Sequence, residues 1–98
     1  MAEFSESSFE KKLSELNGTA QSIQQLSLWL LHHRKHYKAI VRRWTHAITH
    51  AAAHKKLTQL YLANDVVQNS KKKYPEIAKE FGLVMKKVGV HFQATRHS

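Results

Sequence analysis

Leu57-Thr58-Gln59-Leu60-Tyr61-Leu62-Ala63-Asn64-Asp65-Val66-Val67-Gln68-Asn69-Ser70-Lys71-Lys72-Lys73 decides the fold, because it is apolar around most of a helical circumference and carries one narrow polar line. At about 100° of rotation per residue, with Tyr61 at zero, Lys72, Asp65 and Asn69 fall within roughly the next 80°. Leu57, Leu60, Ala63 and Val67 fall on one side of that line, and Leu62 and Val66 on the other. A surface helix needs a single apolar face, so a helix apolar on both flanks of a polar line has neighbours on several sides. The expectation is the central helix of an all-α domain, with Tyr61, Asp65 and Asn69 as the floor of a groove. They would offer a ligand a phenol, a carboxylate and a carboxamide. An ordinary solvated stripe is the competing reading of the same spacing.

Downstream, Pro75 fits the first turn of a helix, where its missing N–H costs nothing, and Glu76 suits the positive end of the dipole. Ile77, Phe81, Val84, Met85, Val88 and Phe92 then make the apolar stripe of a helix over about 75–92, more consistent with core packing than with a cofactor box. The stretch 93–98 is polar and is expected to fray. Upstream, Ser7 with Glu10 forms a capping-box pattern that predicts a first helix over 7–16 carrying Phe9, Leu13 and Leu16. Asn17-Gly18 reads as a stop, with glycine in the left-handed conformation. Ser22 with Gln25 suggests another capping box, opening a second helix that carries Ile23, Leu26, Trp29 and Leu30. Ile40, Val41, Trp44 and Ile48 continue the helical spacing without a breaker, but one helix over 22–73 is too long for so small a chain, which predicts breaks near 36 and 54.

The 98 residues suit one domain, and 3 Gly, 1 Pro and scattered β-branched residues favour helices over a sheet. Sixteen Lys and Arg against 7 Asp and Glu give a formal charge of +9, which calls for an anionic partner: nucleic acid, phosphorylated peptide or acidic membrane. The basic pairs Arg34-Lys35, Arg42-Arg43, Lys55-Lys56 and Lys86-Lys87 are scattered, which reads as a general positive field. Lys71-Lys72-Lys73 sits where a helix end favours cations, and a phosphate can dock there. The absence of cysteine excludes disulfide and thiolate chemistry. The acidic, polar start is no signal peptide, and no apolar run approaches the roughly 18 residues of a spanning helix, so a soluble intracellular protein without membrane attachment is expected.

Catalytic constellations are missing: there is no Gly-x-Ser-x-Gly elbow, no thiol nucleophile, no paired carboxylates and no phosphate-binding glycine loop, so no enzyme and no cofactor are expected. His46, His50 and His54 recur at i, i+4 and i+8, a metal-capable spacing. No carboxylate stands nearby to orient them and His54 falls past the expected break, so a basic solvated face is the preferred reading.

Tyr61-Leu62-Ala63-Asn64-Asp65-Val66-Val67-Gln68-Asn69-Ser70 resembles the signature helix of the RNA polymerase II C-terminal-domain-interacting domain (CID), which binds the repeat tail of the polymerase's largest subunit. Phe4-Ser5-Glu6-Ser7 with Glu10-Lys11-Lys12-Leu13-Ser14-Glu15-Leu16, and Leu26-Ser27-Leu28-Trp29-Leu30 with His32-His33-Arg34-Lys35-His36, are similar to the regulation of nuclear pre-mRNA domain-containing branch of that family. The resemblance implies a right-handed superhelical stack, here of about five helices, matching the first five of an eight-helix domain of the ENTH/VHS-like kind. It implies that Asp65 accepts a hydrogen bond from the heptad tyrosine and that Tyr61, Leu62 and Val66 pack against the tyrosine and proline region. Asn69 would bond the peptide backbone, Asn17, Gly18, Thr19 and Gln21 would approach from the first loop, and Lys72 and Lys73 would meet a phosphoserine. The family's last three helices, with an arginine that reads a phosphate on the second-position serine, have no counterpart in these residues. The stretch 37–54 is also more basic and richer in histidine than the family pattern.

These features predict a nuclear adaptor that reads the phosphorylated polymerase tail in transcription termination and pre-mRNA processing. A basic nucleic-acid module and a protein-interaction or dimerisation fragment are the alternatives. Self-association is expected if apolar faces of the fourth and fifth helices stay uncovered.

Overall fold

A computed structural model of the chain describes residues 3–97, with side chains described for residues 3–87; Val88, Phe92 and the stretch 93–98 singled out above lie outside the side chains so described. The architecture is all-α, as expected. Helices α1 (Glu6–Glu15), α2 (Ala20–His32), α3 (Tyr37–His50), α4 (Ala53–Ser70) and α5 (Pro75–His97) follow in order, with a 3₁₀ turn, Arg34–His36, between α2 and α3. None of the described helices is long and apolar enough to cross a membrane.

Local chemistry explains most of the boundaries, although two of the caps differ from those expected. Ser5, not Ser7, opens α1: its Oγ accepts from Ser8 N at 3.1 Å. Glu10 does not return to cap the helix, because it pairs with Arg43 of α3 at 3.6 Å, beside Glu6, which pairs with Arg42 at 3.3 Å and Arg43 at 3.2 Å. Thr19, not Ser22, opens α2, its side chain accepting from Ser22 N at 3.2 Å. Gly18 does not take the left-handed conformation either. Among the described residues none has a positive φ, and α1 ends at Leu16 in extended backbone, φ −65° and ψ 132°.

The break between α3 and α4 falls at Ala51 and Ala52, both extended, with ψ of 155° and 157°. Neither side chain caps anything, so no local signal marks the turn. Its cause is tertiary, since α3 and α4 each bury a face that one straight helix would carry in a single direction. Pro75 opens α5 as its position predicts.

Phe9 and Leu13 from α1, Leu26, Leu30 and Leu31 from α2, and Ile40, Val41, Trp44 and Ile48 from α3 share one buried cluster. Leu62, Ala63 and Val66 from α4 and Ile77 and Phe81 from α5 complete it. Trp44 is its keystone: fully buried, it meets Phe81 edge-on with ring centroids 5.5 Å apart at 80°, and its Nε1 donates to Gln59 O of α4 at 2.9 Å.

Two contacts at opposite ends orient α2 against α4. A Cβ placed on Gly18, just before α2, would lie 3.8 Å from Thr58 Oγ1 in the second turn of α4. The Arg34 guanidinium, just after α2, stacks 3.9 Å above the ring of Tyr74, just after α4. The two helices therefore run side by side in the same direction.

Candidate functional site

Helix α4 touches α2, α3 and α5, which confirms its central place. The buried positions are Gln59, Leu62, Ala63, Val66 and Ser70, with Leu60 and Val67 partly buried. At about 100° per residue they occupy one continuous arc, from roughly 100° to 260° away from Tyr61. The two apolar flanks expected from the sequence are thus the two edges of one wide buried face. Leu57 does not join it and is 42% exposed.

The remaining arc is open. Tyr61 is 52% exposed, Asn69 is exposed and Asp65 is partly buried, so the polar line is an accessible face and not the floor of an enclosed cavity. Leu62 and Val66, expected to pack on a ligand, have no accessible surface and belong to the core. They hold the line from behind.

Asp65 and Asn69 are brought together. Asn69 Nδ2 donates to Asp65 O at 2.8 Å and to Asp65 Oδ2 at 3.0 Å. Both partners are acceptors, so the amide nitrogen must face them, and Asn69 Oδ1 is left pointing away as a free acceptor. Asp65 Oδ1 has no partner among the described residues. The pair therefore presents two acceptor oxygens, one charged and one neutral, suited to a hydroxyl and a backbone N–H.

The first loop reaches this line. Thr58 lies about 60° round from Tyr61 and about 20° from Asp65, so the Gly18–Thr58 approach places the loop at the N-terminal end of the line. Within the loop, Asn17 Oδ1 accepts from Thr19 N at 2.9 Å and Thr19 Oγ1 at 2.6 Å, and Asn17 N donates to Ser22 Oγ at 3.2 Å. These bonds fix the backbone that Gly18 presents. Gln21 is exposed in the first turn of α2.

At the other end, α4 stops at Ser70, and Lys71, Lys72 and Lys73 form an exposed turn before Pro75. Lys72 therefore leaves the helical register that placed it on the line. Tyr74 N still donates to Ser70 O at 2.7 Å, which keeps the turn compact and its cations at the carboxyl end of α4.

The histidines do not assemble. His46 and His50 lie with ring centroids 4.4 Å apart on α3, whereas His54 stands on α4 beyond the break, and no metal-capable group of three is found among the described residues. Sequence reasoning also missed a cleft of about 360 Å³ between the 3₁₀ turn and the start of α5, lined by Arg34, Lys35, Tyr37 and Tyr74 among others. Its walls are 40 positions apart in the chain, and no local pattern pairs them.

Among known proteins, the chain is 58% identical over 85 residues to human regulation of nuclear pre-mRNA domain-containing protein 1B, an alignment covering 87% of this chain and 26% of that protein. It is 55% identical over 85 residues to chicken regulation of nuclear pre-mRNA domain-containing protein 1A, covering 87% of this chain and 32% of the relative. Mouse regulation of nuclear pre-mRNA domain-containing protein 2 is more distant, 39% identical over 75 residues, 76% of this chain and 5% of that protein. The chain thus spans between a quarter and a third of the length of its 1A and 1B relatives. The profile of the CID domain matches residues 7–97, from the first helix to the end of the fifth, and the chain belongs to the CID domain family.

Proposed function

We propose that the chain reads the heptad-repeat tail of the RNA polymerase II largest subunit in its phosphoserine forms, as a nuclear adaptor in transcription termination and pre-mRNA processing. It does no chemistry of its own. The observation that carries this reading is the Asp65–Asn69 pair: two acceptor oxygens fixed side by side on an exposed face, with the first loop at one end and three lysines at the other.

In this reading Asp65 Oδ1 accepts the hydroxyl of the heptad tyrosine, and Tyr61 supplies apolar surface beside it. Asn69 Oδ1 accepts a peptide N–H. Gly18, held by Asn17 and Thr19, lets the loop backbone come close at the end marked by Gln21. Lys72 and Lys73 attract a serine phosphate by charge, without the fixed geometry a helix would have given them. Leu62 and Val66 act by seating α4.

Fluorescence anisotropy with two-heptad peptides, unphosphorylated and phosphorylated, tests the reading. A hydrogen bond to a charged group contributes about 1.5–3 kcal/mol, so Asp65→Ala weakens binding by about 10-fold to 100-fold. Asn69→Ala removes a neutral acceptor and frees Asp65 to rotate, and it weakens binding by about fivefold. Variants that bind as tightly as the parent would exclude this face. Binding that ignores both substitutions and falls steeply with salt would point to nucleic acid instead.

A further inference from the structure

We propose that the cleft between the 3₁₀ turn and the start of α5 is a phosphate-monoester subsite for a phosphorylated peptide residue, separate from Lys72 and Lys73. The cleft, about 360 Å³, is lined by Arg34 and Lys35 of the 3₁₀ turn, by Tyr74 and Glu76 at the start of α5, and by Tyr37 and His32. Arg34 is the reading group. Its guanidinium carbon sits 3.9 Å from the centroid of the Tyr74 ring, over its face, and its Nη1 donates to Leu31 O at 2.9 Å. A guanidinium fixed at its face and at one nitrogen has lost most of its freedom, so little more is lost when the remaining N–H groups close on a phosphate.

No carboxylate pairs with Arg34 among the described residues, where the ion pairs engage Arg42 and Arg43. Glu76 lines the cleft as its one acidic group, against Arg34 and Lys35. The phenol hydroxyls of Tyr37 and Tyr74 have no partner among the described residues and are further donors. A compact dianion fits this set, whereas a neutral peptide segment would leave Arg34 unanswered.

Position favours a peptide carrier. Tyr74 follows Asn69 by five residues across a compact turn in which Tyr74 N donates to Ser70 O at 2.7 Å, a separation that a few residues of extended chain span. A peptide lying along the Asp65–Asn69 line can therefore place a phosphorylated side chain in the cleft. The proposal rests on that line being the peptide site, and its test separates the two claims.

The probes are two-heptad peptides with and without phosphoserine, followed by anisotropy and by chemical shifts of the Arg34 Nε–H and the Tyr37 and Tyr74 amides. The phosphopeptide shifts these resonances, and Arg34→Ala weakens it by about tenfold more than it weakens the unphosphorylated peptide. Arg34→Lys keeps the charge, loses the planar fork and weakens it as well, whereas Glu76→Gln tightens it. Circular dichroism verifies that each variant is folded. If Arg34→Ala and Arg34→Lys bind the phosphopeptide like the parent while Asp65→Ala still weakens it, the cleft is overturned and the line stands. If Arg34→Ala weakens it while Asp65→Ala does not, the cleft stands and the line falls. Equal shifts with inorganic phosphate alone, or tighter occupancy by single-stranded oligouridine, overturn the assignment to a peptide.

Discussion

Replacing Trp44 with Phe removes one hydrogen bond and part of one ring from behind α4 while leaving its exposed line untouched. Trp44 has no accessible surface and its Nε1 donates to Gln59 O at 2.9 Å. Gln59 O lies within α4, where Ala63 N is its ordinary helical donor, so the carbonyl is not orphaned and the lost bond costs about 1 kcal/mol. Trimming the indole to a phenyl removes on the order of 40 Å² of apolar burial, about 1 kcal/mol at the usual 25 cal/mol per Å². The void beside Phe81, whose ring centroid is 5.5 Å away, adds up to about 1 kcal/mol because a close-packed core relaxes incompletely. The expected loss is about 2–3 kcal/mol, which lowers the melting midpoint by about 10–20 °C in a domain of this size. Urea unfolding followed by far-ultraviolet circular dichroism reads it directly, with an unchanged slope showing that the same surface is still exposed on unfolding. Gln59 lies about 160° round α4 from Tyr61, so peptide affinity at temperatures where both proteins are folded should not change. A midpoint equal to the parent's would refute the claim that Trp44 holds α3 to α4. A large fall in peptide affinity without loss of stability would refute the separation of the two faces.

Other outcomes follow from single residues. His33 is buried with Nε2 unpartnered, among Phe4, Trp29, His32 and His36, and burial, then the charges of His32, His36 and Lys35, hold its pKa below the ordinary 6.5. The unfolded chain therefore takes the proton first; the stability His33 confers is whole above pH 6.5 and is lost as pH falls from there through its folded pKa. Thermal melts between pH 7.5 and 5 should show this decline, and His33→Phe should flatten it; a parallel decline in the variant would assign the effect elsewhere. Thr19→Ala removes the α2 cap and the hydroxyl's bond to Asn17 Oδ1, while the backbone N–H of residue 19 keeps its own, and should lower stability by about 1 kcal/mol in urea titration. Gly82→Ala should add about 1 kcal/mol, since nothing lies within 4 Å of the new methyl group. Gly18→Ala should be tolerated or add about 0.4–1 kcal/mol, because its φ is not positive and Thr58 Oγ1 would lie at an ordinary 3.8 Å. A destabilised Gly18→Ala protein would show that the loop needs glycine for folding; a stable one with weaker peptide binding would show that it needs glycine for approach.

Much of this was legible because helical periodicity is local. The spacing of Leu62, Val66 and Ile77, and Pro75 at a first turn, reported the core and the start of α5 without knowledge of any neighbour. The caps were misread where hydroxyl residues crowd together. Ser5, Ser7 and Ser8 all compete to open α1, and the outcome depends on Glu10 and Glu6 being drawn to Arg42 and Arg43, more than 30 residues away. The break at Ala51–Ala52 has no residue that announces it. At the site, Tyr61, Asp65 and Asn69 share a face as their spacing dictates, whereas Lys72 left the face when the helix ended early. The Arg34–Tyr74 stack joins two ends of parallel helices and exists only once both are packed.

That uncapped junction sets a gradient of rigidity along α4. Its first turn starts with Lys55 N and Lys56 N donating to Ala52 O at 3.0 and 2.9 Å, and no side chain caps the end. Its far end is clamped by Ser70 Oγ on Val66 O, by Tyr74 N on Ser70 O and by the guanidinium lying on Tyr74. Opening a few bonds at the first turn costs little, while opening the other end disrupts the core. A ligand laid along this helix would take its register from the clamped end and find compliance beside Gly18, so tolerance of sequence variation should be greatest where the chain itself yields.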